Sequence, residues 1–280
     1  FSPHPDDAVI SMGGTFIRLV DQKHDVHVAY QTSGNTAVWD DDALRFVEFN
    51  VDFTAKMGMD NSHLKDLYNK MRAFIEHKKP NQIDTPEIQT VKGLIRKGEA
   101  IAGARYCGLE DDHIHFQALP FYESGKSQKN PVTDADIELT IELLQQVKPQ
   151  QVYAAGDFED PHGTHIVCFN IILAALTRLR KTEDWAKDCW LWMYRGAWHE
   201  FETHEIEMAV PISPKELERK KYAIFKHQSQ KDRAVFPGDD SREFWQRAED
   251  RNRETAKAYD DLGLAEYEAM EAFVRWKFKD

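Results

Sequence analysis

Cysteine is scarce in this chain: three in 280 residues, Cys107, Cys168 and Cys189, with no CxxC pair. That spacing excludes a disulfide framework and reads as reduced, buried thiols of a cytoplasmic protein. Thiolate ligation of zinc goes with it, so any metal has to be held by His and carboxylates. Positive charge is also in deficit, 36 Lys and Arg against 48 Asp and Glu, for a net charge of −12. A nucleic acid or an anionic membrane would need a basic face, so neither is expected as a partner. No apolar run approaches the roughly 18–20 residues of a membrane span. An HExxH helix, internal repeats, low-complexity segments and a signal peptide are all missing. The chain also lacks an initiator methionine. Its opening Phe1-Ser2 reads as the tail of a strand begun upstream, so the expectation is a domain cut from a longer chain.

What is present is enough for a core: 41% hydrophobic residues and 16 Phe. Apolar residues at helical spacing follow the opening turn over Ala8–Val20, with Gly13-Gly14 suggesting close approach to a strand. Strands are expected at Asp25–Ser33, His113–Leu119 and Gln151–Gly156, and further ones at CWLWMYRG and EIEMAV. Helices are expected at Asp134–Lys148, capped by Thr133, at about Thr164–Arg180, and at Pro214–His227, opened by a Ser213/Glu216 capping box. This alternation predicts an α/β fold, a mainly parallel, doubly wound Rossmann-like sheet in a single domain over 1–280. Residues from about 39 to 94 break the rhythm with consecutive helical patterns and read as a helical insertion. The end beyond Arg242 is charged and helical, and EYEAMEAFVRWKF is ambiguous between helix and strand.

Two clusters could carry chemistry. FSPHPDD places His4, Asp6 and Asp7 just beyond a strand end, where open α/β sheets keep ligand sites. His4 and Asp7 can converge on one ion while Asp6 acts on a water; the same residues also read as an Asp helix cap beside a surface His. DPHGTH places His162 and His165 at a helix start directly after another strand, an i,i+3 pair that can share a pocket, or two polar loop histidines. Both clusters would open on the same sheet edge. Three ligands plus water is the usual catalytic zinc arrangement. His4, Asp7 and His165 would supply it, leaving Asp6 and His162 for proton work.

At this point the chain resembles a known family, the LmbE-like, PIG-L type zinc N-deacetylases of N-acetylglucosamine-containing substrates. The family's HPDD matches His4-Pro5-Asp6-Asp7 and its HxxH matches His162 to His165. Its RxxE…LG matches Arg96 to Glu99 with Gly108-Leu109, and its KxxA…HxSQ matches Lys220 to Ala223 with His227, Ser229 and Gln230. The resemblance implies His4, Asp7 and His165 as zinc ligands and Asp6 as general base. It implies His162 as oxyanion stabiliser or proton donor, and Arg96 as a substrate contact. Zinc and iron(II) suit the same ligands. Two positions depart from the pattern: Ala8 stands where an acidic residue usually follows HPDD, and Phe121 where relatives place an Asp after Leu-Pro. The helical stretch 39–94 is longer than the family's usual connection and is expected to reshape the pocket mouth. The chain also resembles the trailing part of bacterial fusion proteins whose leading part is similar to glucosamine-6-phosphate deaminase, which implies a small amino-sugar substrate and a fused partner domain.

The expected function is metal-dependent removal of an acetyl group from an N-acetylglucosamine-type substrate. The alternative is a non-catalytic amino-sugar-binding or assembly module, motivated by Ala8, Phe121 and the long helical stretch. A phosphoesterase needs more His and carboxylate ligands than are found. Other residues weigh less. Arg195, Trp198 and His199 could line a sugar pocket but equally belong to a core or seam. His113 and His115 read as solvated or satisfied, and His227 as a structural hydrogen-bonder. Asp40–Asp42 read as an acidic first helical turn and Lys215–Lys221 as a solvated face.

Overall fold

The computed structural model describes residues 1–278 except 125–128, 159–162, 197–198, 233, 237 and 239. The order is α1 (Asp7–Asp21), β1 (Val28–Tyr30), α2 (Asp40–Lys56), α3 (Ser62–Glu76), α4 (Pro86–Cys107) and β2 (Ile114–Phe116). There follow α5 (Asp134–Val147), β3 (Gln151–Ala155), α6 (Thr164–Thr182), α7 (Asp184–Asp188) and β4 (Trp190–Tyr194). The chain ends with β5 (Met208–Ile212), α8 (Pro214–Ile224), α9 (Phe244–Asp261) and β6 (Ala269–Trp276).

β1 and β2 pair in parallel, and β3-β4-β6-β5 form a second, four-stranded sheet. Residues 1–2 stitch the two together. Phe1 N donates to Tyr153 O at 2.8 Å on one side, and on the other Ser2 N donates to Ala29 O while Gln31 N donates to Ser2 O. The fold is thus mixed α/β, and the expected mainly parallel sheet is met only in part. β3 and β4 are parallel, but β6 runs antiparallel to both β4 and β5. The ambiguous EYEAMEAFVRWKF resolves as this strand. Its Ala269–Phe273 are all buried, the mark of a strand covered on both faces rather than of an alternating one.

Two cores lie on opposite faces. One packs Val9, Ile10 and Phe16 of α1 with Val28, Tyr30, Ala100, Ala104 and Ile224. The other packs β3 and β4 against Leu144, Phe169, Ile172 and Leu176. The helical expectation for 39–94 gives α2, α3 and the first part of α4, which runs on to Cys107.

Helix α1 begins at the candidate site, with Asp7 as its first residue. It is interrupted at Met12 (φ −130°, ψ 25°), which frees backbone donors one turn later. Glu271 of β6 accepts them, from Gly14 N at 2.9 Å and Thr15 N at 2.7 Å. Lys220 Nζ, 2.8 Å from Glu271 and 2.7 Å from Asn252 Oδ1, neutralises that carboxylate. Lys220 is therefore buried, a correction to the solvated face expected for Lys215–Lys221. Gly14 faces β5 as its sequence suggested: a Cβ there would stand 2.6 Å from Ile212 Cδ1.

Candidate metal centre and active site

The opening turn folds on itself through short local bonds. Ser2 Oγ donates to His4 O at 2.5 Å and accepts from Ala8 N at 3.0 Å. His4 N donates to Asp7 Oδ2 at 2.7 Å, which draws the His4 ring over the same carboxylate, Nδ1 to Oδ2 at 3.1 Å. The chain just beyond β1 sets the height of this turn, since Thr32 N and Oγ1 both donate to Pro3 O. From the other side comes α6. Gly163, in the left-handed region at φ +63°, turns the chain into the helix, and His165 in its first turn places Nε2 3.2 Å from Asp7 Oδ2.

The ligand atoms of His4, Asp7 and His165 all lie within 4.8 Å of one another. With zinc–nitrogen bonds of about 2.0–2.1 Å, the edges of a tetrahedral site are about 3.3 Å. The two carboxylate–imidazole separations, 3.1 and 3.2 Å, are close to that, and two imidazoles with one carboxylate are a donor set that zinc and iron(II) both accept. The residues present fit a divalent ion. Burial works to raise the Asp7 carboxyl, but His165 and His4 beside it hold it well below the usual carboxylate range. It offers its charged, ligating form.

Asp6 is turned out of this trio. Its Oδ1 accepts from Arg96 Nη2 at 2.9 Å, and the Arg96 guanidinium is itself buried. Arg96 Nη1 lies 4.0 Å from Glu99 Oε2, and Glu99 accepts from Ser229 N at 2.6 Å and Ser229 Oγ at 2.7 Å. Burial raises the Glu99 carboxyl against the pull of Arg96 and Ser229. Residues of the two quieter sequence matches thus meet in one chain of contacts ending on Asp6. Gln230 adds a bond to the Ala37 carbonyl, 2.6 Å from its Nε2.

His227 lies beneath, buried, with neither ring nitrogen hydrogen-bonded. Burial pushes it down to about 4, so it is neutral at neutral pH. A chamber of about 10 Å³ bordered by Asp6 and His227 has room for about one water. The expected structural hydrogen bond of His227 is absent from the described contacts.

A cavity of about 360 Å³ opens above the trio. His4, Asp6, Asp7 and His165 form part of its lining, and Arg96 and Tyr122 border it as well. Much of the wall comes from 39–94: Trp39, Asp40, Lys78, Ile83, Asp84 and Lys92. Four of these lock the wall together. Lys78 Nζ is 2.9 Å from Asp40 and 2.5 Å from Asp84, and Lys92 Nζ is 2.6 and 2.7 Å from the same pair. Asp40 is thus more than a first-turn acid; it ties the start of α2 to α4, a role that local spacing could not show.

The remaining candidates fall elsewhere. His162 and Trp198 lie outside the described residues. Arg195 donates to the Gly156 and Glu200 carbonyls and stacks on Phe201, and neither it nor His199 lines the cavity. Ala8 and Phe121 are both buried, Phe121 among Leu119, Tyr122, Cys168 and Ile171. No helix among the described residues is long and apolar enough to cross a membrane.

Residues 1–176 match the profile of the PIG-L family, described as GlcNAc-PI de-N-acetylase. A protein of Bacteroides thetaiotaomicron, named as glucosamine-6-phosphate deaminase-like, is 54% identical over 279 residues. That match takes in 99% of this chain but only 42% of the relative's length. Among solved structures, N,N'-diacetylchitobiose deacetylase from Pyrococcus horikoshii superposes with TM-score 0.57 at 18% identity, covering 98% of this chain and 81% of its own. The 4-carboxy-2-hydroxymuconate hydratase of Pseudomonas putida gives 0.60 at 13% identity, covering 100% and 95%. A deacetylase of teicoplanin biosynthesis gives 0.53 at 16%, covering 99% and 98%. Identities this low carry likeness of fold alone, and the fold serves a hydratase as well as deacetylases.

Proposed function

The chain belongs to the PIG-L family, and from that premise we propose that it is a metal-dependent amide hydrolase releasing acetate from an N-acetylglucosamine-type substrate. The observation that carries this reading is the convergence of His4, Asp7 and His165 at a cavity into which Asp6 also opens. His4, Asp7 and His165 would hold the ion, zinc or iron(II). When bound, such an ion supplies Lewis-acid chemistry, polarising an amide carbonyl and acidifying water.

The chain's own residues do the proton work. Asp6 takes the proton of the attacking water as its oxygen bonds to the acetyl carbon, a contribution of typically ~10²–10⁴-fold. Arg96 fixes the Asp6 carboxylate through Oδ1, leaving Oδ2 for that proton, and borders the substrate cavity itself. The amide nitrogen must gain a proton before the C–N bond breaks, because an amide anion is a poor leaving group. The family resemblance gives that donation, or stabilisation of the oxyanion, to His162. Acetate and a free amino sugar are the products.

The reading takes 1–280 as one deacetylase domain, with 39–94 shaping the cavity mouth. Three buried cysteines outside any disulfide suit a reducing, cytoplasmic setting. A deaminase-like segment elsewhere in a longer protein would fit the 42% coverage of the relative and an amino-sugar substrate. The second reading, an amino-sugar-binding module without catalysis, rests on Ala8 and Phe121, apolar and buried at the two departures from the family pattern. Acetate release from a panel of N-acetylglucosamine derivatives, including the 6-phosphate, with metal content measured in parallel, separates the two. Release that depends on metal supports the hydrolase, and none from a metal-loaded chain gives the site to the binding module.

A further inference from the structure

Three more histidines gather at the other end of the parallel strands. Asp25 and His27 lie just before β1, and His113 and His115 at the start of β2. Parallel register pairs Val28 with Ile114 and Ala29 with His115, so the preceding position sets His27 beside His113. Side chains two apart share a sheet face, which places all four residues on one face. The contacts follow from that placement. The His27 and His113 rings stack with centroids 4.1 Å apart and 10° between planes, and His27 Nδ1 stands 2.9 Å from His115 Nε2. Asp25 Oδ1 is 3.3 Å from His27 Nε2 and 3.6 Å from His113 Nδ1.

We propose that Asp25, His27 and His113 form a second divalent-metal site, of the zinc or copper(II) class, that pins β1 to β2, with His115 supporting His27 from its other ring nitrogen. The ligand atoms of Asp25, His27 and His113 lie within 4.8 Å of one another, as those of His4, Asp7 and His165 do. Their carboxylate–imidazole separations, 3.3 Å to His27 Nε2 and 3.6 Å to His113 Nδ1, lie at and just above the tetrahedral edge of about 3.3 Å, and binding would tilt the stacked rings apart so that both lone pairs meet the ion. Two imidazoles and a carboxylate favour late first-row ions over magnesium or calcium, which take oxygen ligands. His113 can ligate through either nitrogen. His115 Nε2, 2.9 Å from His27 Nδ1, would accept an Nδ1–H there while His27 Nε2 binds, the usual support for a ligating imidazole. Asp25 is 77% exposed, which leaves the approach open. The structural benefit is local: β1 and β2 are three residues each, and an ion bound only in the folded state stabilises it by mass action.

The test uses equilibrium dialysis of the whole chain against zinc alone, read by elemental analysis. The His165→Ala chain isolates the second site and is expected to retain one equivalent, and its thermal midpoint is expected to rise with zinc. Adding His27→Ala and His113→Ala removes both the ion and the thermal shift. Asp25→Ala, too exposed to disturb the core, weakens binding by at least about tenfold with an unchanged circular dichroism spectrum. A His165→Ala chain that takes up no zinc, or uptake that persists after His27 and His113 are both replaced, overturns the proposal. None of these outcomes depends on acetate release, so the hydrolase reading stands or falls separately.

Discussion

The carboxyl and amino ends of the joined sheets hold similar sets of ligands in different surroundings. At the carboxyl ends, Asp7 lies 3.1 and 3.2 Å from two imidazoles; at the amino ends, Asp25 lies 3.3 and 3.6 Å from two others. The first carboxylate is buried and the second is in solvent. Behind the first stands Asp6, fixed by a buried guanidinium, whereas cavities of similar size, about 360 and 350 Å³, border the two sites. The second has no comparable carboxylate on a buried cation among the described residues. Capacity to hold an ion and capacity to use one are therefore separable here. The first needs a few donors at the right spacing, and the second also needs an oriented base.

The largest effect should come from the base. Asp6→Asn keeps an oxygen for the Arg96 hydrogen bond and leaves the three ligands in place, so metal content stays and turnover falls by ~10²–10⁴-fold. His27→Ala should leave turnover at the wild-type value. Acetate release by Asp6→Asn at wild-type rate would remove the distinction drawn between the two ends. Next is Arg96→Met, which leaves Asp6 and Glu99 buried without their cation. Breaking a buried pair in this way costs about 3–5 kcal/mol, read as a lower midpoint in urea denaturation. The mirror change, Asp25→Ala at the exposed end, should cost well under 1 kcal/mol of stability by the same measurement in the absence of zinc.

How much of this was legible in the sequence follows from the range of the interactions. The carboxyl-end trio was readable because HPDD and the later histidine pair each follow a strand, and parallel strands bring such positions to one edge. Helices α5, α6 and α8 were readable from their periodicity and caps. β6 was not, because a strand covered on both faces loses the alternation that identifies it, and with it the mixed character of the sheet was missed. Lys220 looked like one cation in a charged run, and only the break in α1 at Met12 explains why it is buried on Glu271. His113 and His115 showed their shared parity, but the His27 that completes the cluster lies on another strand. Register, which no local pattern states, joins them.

Packing between elements gives a smaller expected effect. Gly14→Ala would bring a methyl group to 2.6 Å from Ile212 Cδ1, and overpacking of this kind costs about 1–3 kcal/mol. Because Gly14 N also bonds Glu271, the strain would reach the start of α1, and zinc uptake at the carboxyl-end site should weaken with it while uptake by His27 and His113 does not change.

The smallest effect concerns a charge pair that is enclosed on one side only. Arg18 bonds Glu216 through Nε at 2.8 Å and Nη2 at 2.6 Å, in a partly open setting. Burial works to raise the Glu216 carboxyl, but the hydrogen bonds from Arg18 and Ser213 outweigh it and bring it down to about 2, against 4.5 ordinarily. A depressed acid stabilises the folded state above its unfolded value, so this contribution is full above about pH 4.5 and is lost as pH falls through about 2. Solvent screening limits it to roughly 0–1 kcal/mol. Glu216→Gln keeps the capping geometry with Ser213 and removes only the charge. Its thermal midpoint should lie slightly below wild type at pH 7, and the gap should close as the pH is taken towards 2. A gap that stays constant across that range would show that the pair acts through shape, and that partial exposure is enough to silence a charge in this fold.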